Sequence, residues 1–119
     1  MKGSKKIWID SATRISELIK GFNIAFPFLR IEIYRKGEAV SLGHRDFVVF
    51  EIANIENPEG FVIEGDMKVS EIEKLFQKNL GLEISIFRKM GTSEVETTYT
   101  SLWTLNHQNN KGEEIQFAI

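Results

Sequence analysis

Apolar residues recur at helical spacing in two stretches: Ile15, Leu18, Ile19, Phe22 and Phe26 in one, and Val69, Ile72, Leu75, Phe76 and Leu80 in the other. Such stripes predict amphipathic helices at about 15–26 and 69–80, stopped by Pro27 and Gly81. The period then drops to two. Leu29, Ile31 and Ile33 alternate with polar residues, as do Leu82, Ile84 and Ile86, which predicts strands whose apolar faces meet the helices. Turns at Gly37 and Gly91 lead into second strands, clearest at 94–100, where Val95, Thr97 and Tyr99 alternate with Glu94, Glu96 and Thr98. Residues 103–109, rich in capping side chains, read as a single helical turn. A closing strand is expected at 113–119, with Ile115, Phe117 and Ile119 pointing inward.

The pattern occurs twice because the sequence does. Residues 7–20 (IWIDSATRISELIK) align without a gap on 61–74 (FVIEGDMKVSEIEK) at an offset of 54, and LRIEIYRK (29–36) matches LEISIFRK (82–89) at an offset of 53. Self-similarity of this kind predicts a duplicated unit. At 119 residues, the chain suits one compact domain, residues 1–119, made of repeats at about 7–60 and 61–119. The expected fold class is α+β: a tandem duplication of a strand, helix, strand, strand, turn, strand unit, with two long helices packed on a mixed sheet. A ferredoxin-like fold, which shares the first three elements, is the alternative.

Two sets of residues carry resemblances. Gly65-Asp66 through Val69-Ser70-Glu71, and Trp103-Thr104-Leu105 before the expected last strand, resemble the helix entry and the Thr-Leu turn of the ubiquitin-type β-grasp. Ubiquitin-like modifiers and sulfur carriers end in Gly-Gly, whereas Phe117-Ala118-Ile119 stands here, so no conjugation chemistry is expected. Phe87-Arg88-Lys89, Gly91, Glu96-Thr97-Thr98, Trp103-Thr104-Leu105, Gln108-Asn109 and Gly112, with Ala25-Phe26-Pro27-Phe28-Leu29, resemble an uncharacterised family of short bacterial proteins with a duplicated β-grasp-like (ubiquitin-like) unit. That resemblance implies architecture and supplies no site.

Composition narrows the chemistry. With 42% hydrophobic and 27% charged residues the chain lies outside the disordered regime. Fifteen Lys and Arg against 17 Asp and Glu give a net charge of -2, which offers no global attraction to nucleic acid or anionic lipid. The absence of cysteine excludes disulfides, thiolate metal sites and thiol nucleophiles. After the basic start from Met1 to Lys6, the residues Asp10, Arg14, Glu17 and Lys20 interrupt any signal-peptide core. The expectation is a cytoplasmic protein with no membrane contact. His44 and His107 lack metal-ligand spacing, and the pairs Glu94 with Glu96 and Glu113 with Glu114 read as solvated carboxylates. Phosphate-binding glycine loops are missing. No enzyme, cofactor or metal is therefore expected.

Two features remain. Arg35-Lys36 and Arg88-Lys89 end matching strands; with Arg30 and Arg45 they form an anion-binding patch on one reading and solvated strand ends on the other. Trp8, Tyr34 and Phe87 are expected on one sheet face opposite the helices, either open as an interaction surface or covered by the other repeat. The expected function is a non-enzymatic protein-interaction or self-association module. The alternative is binding of RNA or single-stranded nucleic acid through the aromatic face and the basic pairs, since residues 7–10 and 45–50 resemble the strands of an RNA-recognition fold. Against it, Asp46 replaces the expected glycine and 52–60 is too short for a second long helix.

Overall fold

The computed structural model describes residues 5–40 and 47–118. The element order is β1 (Lys6–Ile9), α1 (Ile15–Ala25), β2 (Leu29–Arg35), β3 (Glu38–Ala39), α2 (Val49–Ile52), β4 (Phe61–Glu64), α3 (Val69–Leu80), β5 (Glu83–Met90), β6 (Ser93–Glu96), a 3-10 turn (Thr98–Thr100) and α4 (Leu105–Phe117). The class is α+β. α1 and α3 start alike: the carboxylate of Glu17 accepts from the N–H of Arg14, and that of Glu71 from the N–H of Lys68, each at 2.9 Å, which satisfies a donor the helix itself leaves unpaired. Gly81 ends α3 in the left-handed region at φ 66°, where glycine carries no steric penalty.

The strands form two sheets. β1 and β4 make an antiparallel ribbon, and the larger sheet runs β3-β2-β5-β6. Every strand pairing among the described residues is antiparallel, so the expected mixed sheet is corrected. The ferredoxin-like alternative also fails, because it needs the first strand inside a single four-stranded sheet and β1 pairs with β4 instead. The larger sheet buries one face: Leu29, Ile31, Ile33, Ile84 and Ile86 join Ile15, Leu18, Phe22, Ile72, Phe76 and Leu80 in a core drawn from both halves of the chain.

Pairing registers are symmetric between the halves. In the ribbon Ile7 lies opposite Ile63 and Ile9 opposite Phe61, and the 54-residue offset exchanges these two pairs. Trp8 and Val62, equivalent by the same offset, face each other at the centre. In the larger sheet Ile31 pairs with Ile86 and Ile33 with Ile84, again exchanged by the 53-residue offset, while the equivalent Glu32 and Ser85 meet in the middle. The helix entries correspond too. Ile15 N–H donates to Phe47 O and Val49 N–H to Thr13 O (2.9 and 2.7 Å); Val69 N–H donates to Trp103 O and Leu105 N–H to Met67 O (3.1 and 3.0 Å). α2 thus occupies in the first half the place that α4 takes in the second.

The chain closes differently from expectation. Residues expected as a turn and a last strand form one helix, α4, whose buried positions are Leu105, Gln108 and Gly112. Ile115 is half-buried and Phe117 is 73% exposed; Ile119 lies outside the described residues. The close approach requires Gly112: a Cβ there would stand 2.8 Å from Phe28 Cβ and 3.3 Å from Arg88 Cγ. The strand expected at 94–100 stops at Glu96, because Thr97 turns inward and bonds Ile86 O through both its N–H (3.0 Å) and its hydroxyl (2.8 Å).

Candidate functional site: the open sheet face and its edge

Residues paired directly across antiparallel strands share a sheet face. From the registers, Tyr34, Glu32 and Arg30 of β2, Glu83, Ser85, Phe87 and Lys89 of β5, and Glu94 and Glu96 of β6 share one face. The buried isoleucines occupy the other, under the helices. This face carries the carboxylates of Glu32, Glu83, Glu94 and Glu96 against the cations of Arg30 and Lys89, so it is acidic.

Arg30 organises its middle. Its guanidinium donates to Glu94 and Glu32, each at 3.0 Å, and lies 4.4 Å from the centre of the Phe87 ring. The hydrogen bond to Glu94 is the main cause holding Arg30 above its ordinary pKa. Ser85 donates to Glu96 at 3.1 Å. At this edge burial raises the Glu73 carboxyl, and the charge of Glu96 adds to the effect.

The three aromatic residues expected together are separated. Trp8 belongs to the ribbon, 66% exposed and beside Val62. Tyr34 and Phe87 do share the open face, yet they pair with Glu83 and Arg30 respectively, four positions apart, or about 13 Å along a strand. The basic pairs split as well. Arg35 and Arg88 turn to the helix face: Arg35 Nε donates to Ile52 O at 2.9 Å, and Arg88 Nη1 to Gln108 Oε1 at 2.8 Å. Arg88 also lies 5.5 Å from the Trp103 ring, which meets His107 edge-on at 4.2 Å. Lys36 sits in the β2–β3 turn at φ 52°, while Lys89 is exposed on the open face. Both arginines anchor helices, so the pairs do not converge into a patch. Arg45 and His44 lie outside the described residues.

Sequence reasoning missed the edge of the larger sheet. β6 is its outermost strand, and all its residues are exposed. Close by in the chain, Tyr99 and Leu102 are 101% and 70% exposed. Their signal was two large side chains, Tyr99 and Leu102, in the otherwise polar run 96–102. An open groove of about 710 Å³ adjoins the β5–β6 turn, lined by Phe28, Lys89, Thr92, Ser93 and Gln116. Among the described residues no group of His, Cys, Asp or Glu could hold a metal ion, and no helix is long and apolar enough to cross a membrane. Comparison with protein-family models, with curated proteins and with solved structures finds no match.

Proposed function

We propose that the chain is a non-enzymatic interaction module, built from two copies of a β-α-β-β-α unit, that works by binding another protein. The exchange of equivalent residues in both strand registers supports the duplication. One observation carries the function: Trp8, Tyr99 and Leu102 are large apolar side chains largely exposed to solvent, and interfaces concentrate their binding energy in such anchors. The acidic open face and the inward-turned Arg35 and Arg88 count against a phosphate-binding role.

The test is affinity capture from the native host with the wild-type chain, Trp8→Ala, and the double variant Tyr99→Ala/Leu102→Ala. The wild type is expected to retain a partner at moderate salt, and one variant to lose it, with a deficit of about 2 kcal/mol if the altered residue is a hot spot. Retention unaffected by either variant would overturn the reading. So would tight, salt-sensitive binding of single-stranded RNA.

A further inference from the structure

Among the described residues no strand pairs with the outer side of β6, and this edge combines outward backbone groups with a row of carboxylates and one apolar side chain. Thr97 N–H donates to Ile86 O at 3.0 Å, and Val95 and Ser93 face Arg88 and Met90. In an antiparallel ladder the residues that bond the neighbouring strand alternate with residues that turn N–H and C=O away from it. Thr97, Val95 and Ser93 therefore bond β5, while Glu96 and Glu94 direct their backbone groups outward. This is the geometry needed for addition of a further strand. The opposite edge, β3, is only the two residues Glu38–Ala39, too short to specify one.

Side chains at this edge state what such a strand must carry. Glu94 and Glu96 lie on the open face, so residues paired beside them meet negative charge, and Glu73 adds a carboxylate within electrostatic reach of Glu96. Val95, 37% exposed, lies on the helix face and offers an apolar neighbour to the alternate residue. Two copies of this chain paired through β6 would set these carboxylates against one another, which destabilises cross-strand pairs. A nucleic-acid phosphate would meet the same repulsion. We infer that the β6 edge binds an extended segment of another protein in which lysine or arginine alternates with apolar residues, added as a fifth strand to the larger sheet. The inference rests on the reading of the chain as a protein-binding module and specifies the partner's chemistry.

The experiment titrates the full chain, labelled for amide NMR, with three capped hexapeptides: alternating valine and lysine, alternating valine and glutamate, and alternating glycine and lysine. The valine–lysine peptide is expected to bind saturably, with the largest amide shifts at Glu94 and Glu96. The valine–glutamate peptide is expected not to bind, and the glycine–lysine peptide to bind at least about five-fold more weakly, because it has the charge without the strand propensity. Glu94→Gln/Glu96→Gln, which keeps both side chains as acceptors, is expected to weaken the valine–lysine peptide at least about five-fold, while unfolding stays cooperative and shifts only by the small contribution of the exposed Arg30–Glu94 pair. Equal affinity for the two lysine peptides, shifts centred away from β6, or no saturable binding would overturn the inference. So would concentration-dependent shifts at β6 without peptide, which would assign the edge to a second copy. If peptide binding fails while capture through Trp8 or Tyr99 and Leu102 persists, the edge assignment alone falls.

Discussion

Arg88 donates from Nη1 to Oε1 of Gln108 at 2.8 Å, fastening α4 to the inner face of β5. Gln108 is fully buried and uses its amide nitrogen in turn, donating to the carbonyl and the hydroxyl oxygen of Thr100 at 2.9 and 2.7 Å. The first half reaches the same end with less, since Arg35 takes the backbone carbonyl of Ile52. The second half carries a longer helix and a polar side-chain network to hold it.

Gln108→Leu keeps the approximate volume and deletes all of these bonds. Arg88 Nη1 then loses its acceptor and Thr100 keeps only its bonds to Trp103 and Thr97, which is expected to cost about 1–3 kcal/mol in urea unfolding. Adding Arg88→Met removes the stranded charge, so the double variant is expected to lose less than the sum of the single changes. Strict additivity would show that the two residues act independently.

Two helical glycines are expected to respond to alanine with opposite signs. At Gly21, inside α1, a Cβ meets nothing within 4 Å, and Gly21→Ala is expected to stabilise by about 0.5–1 kcal/mol through helix propensity. At Gly112 the added Cβ runs into Phe28 and Arg88, so Gly112→Ala is expected to lose about 1–3 kcal/mol. Thermal unfolding of both variants decides it; a stabilised Gly112→Ala would mean that α4 lies farther from the sheet.

Ile33 and Ile86 occupy equivalent, fully buried positions in the two halves. Truncating either to alanine is expected to cost about 2–5 kcal/mol, with the two values within about 1 kcal/mol of each other. A larger gap in denaturant unfolding would show that the symmetry of register does not extend to energetics.

Glu73 supplies a pH test. Its folded-state pKa lies above the ordinary 4.5, first from burial and then from the charge of Glu96. The folded chain thus holds this proton more tightly than the unfolded chain does. Stability falls as pH rises from 4.5 through the raised value, and the penalty persists at neutral pH. Glu73→Gln is expected to gain a few tenths of a kcal/mol, roughly, at pH 7, since the side chain is only half-buried, and nothing below about pH 4. An equal gain at both pH values would indicate a packing effect instead.

α1, α3, β2 and β5 were legible because each shows one undisturbed period, as in Ile15, Leu18 and Phe22 or in Leu29, Ile31 and Ile33. α4 was not. Its inward stripe runs Leu105, Gln108, Gly112, and a polar residue and a glycine in those places hide the helical spacing, while Ile115, Phe117 and Ile119 imitate a strand. The side-chain network of Arg88 makes Gln108 acceptable inside, and only the packed structure shows it. Within the basic pairs, Lys36 and Lys89 are solvated strand ends, while Arg35 and Arg88 turn inward for a simple reason. Neighbours on a strand point to opposite faces, so the parity that buries Ile31 and Ile33 also turns Arg35 inward. Matching Phe47-Val48-Val49 with Trp103-Thr104-Leu105 needed an offset of 56, beyond the ungapped match, and is secured by the shared helix-entry bonds.

β1 with β4, and β2 with β5, join strands from opposite halves of the chain, so neither sheet belongs to one half. Residues 53–60, which tie the halves together, make both pairings unimolecular. Separate halves would have to meet by diffusion and would fall apart on dilution, whereas a tether of this length fixes their mutual concentration at about the millimolar level. Assembly of the sheets therefore does not depend on how much of the protein is present.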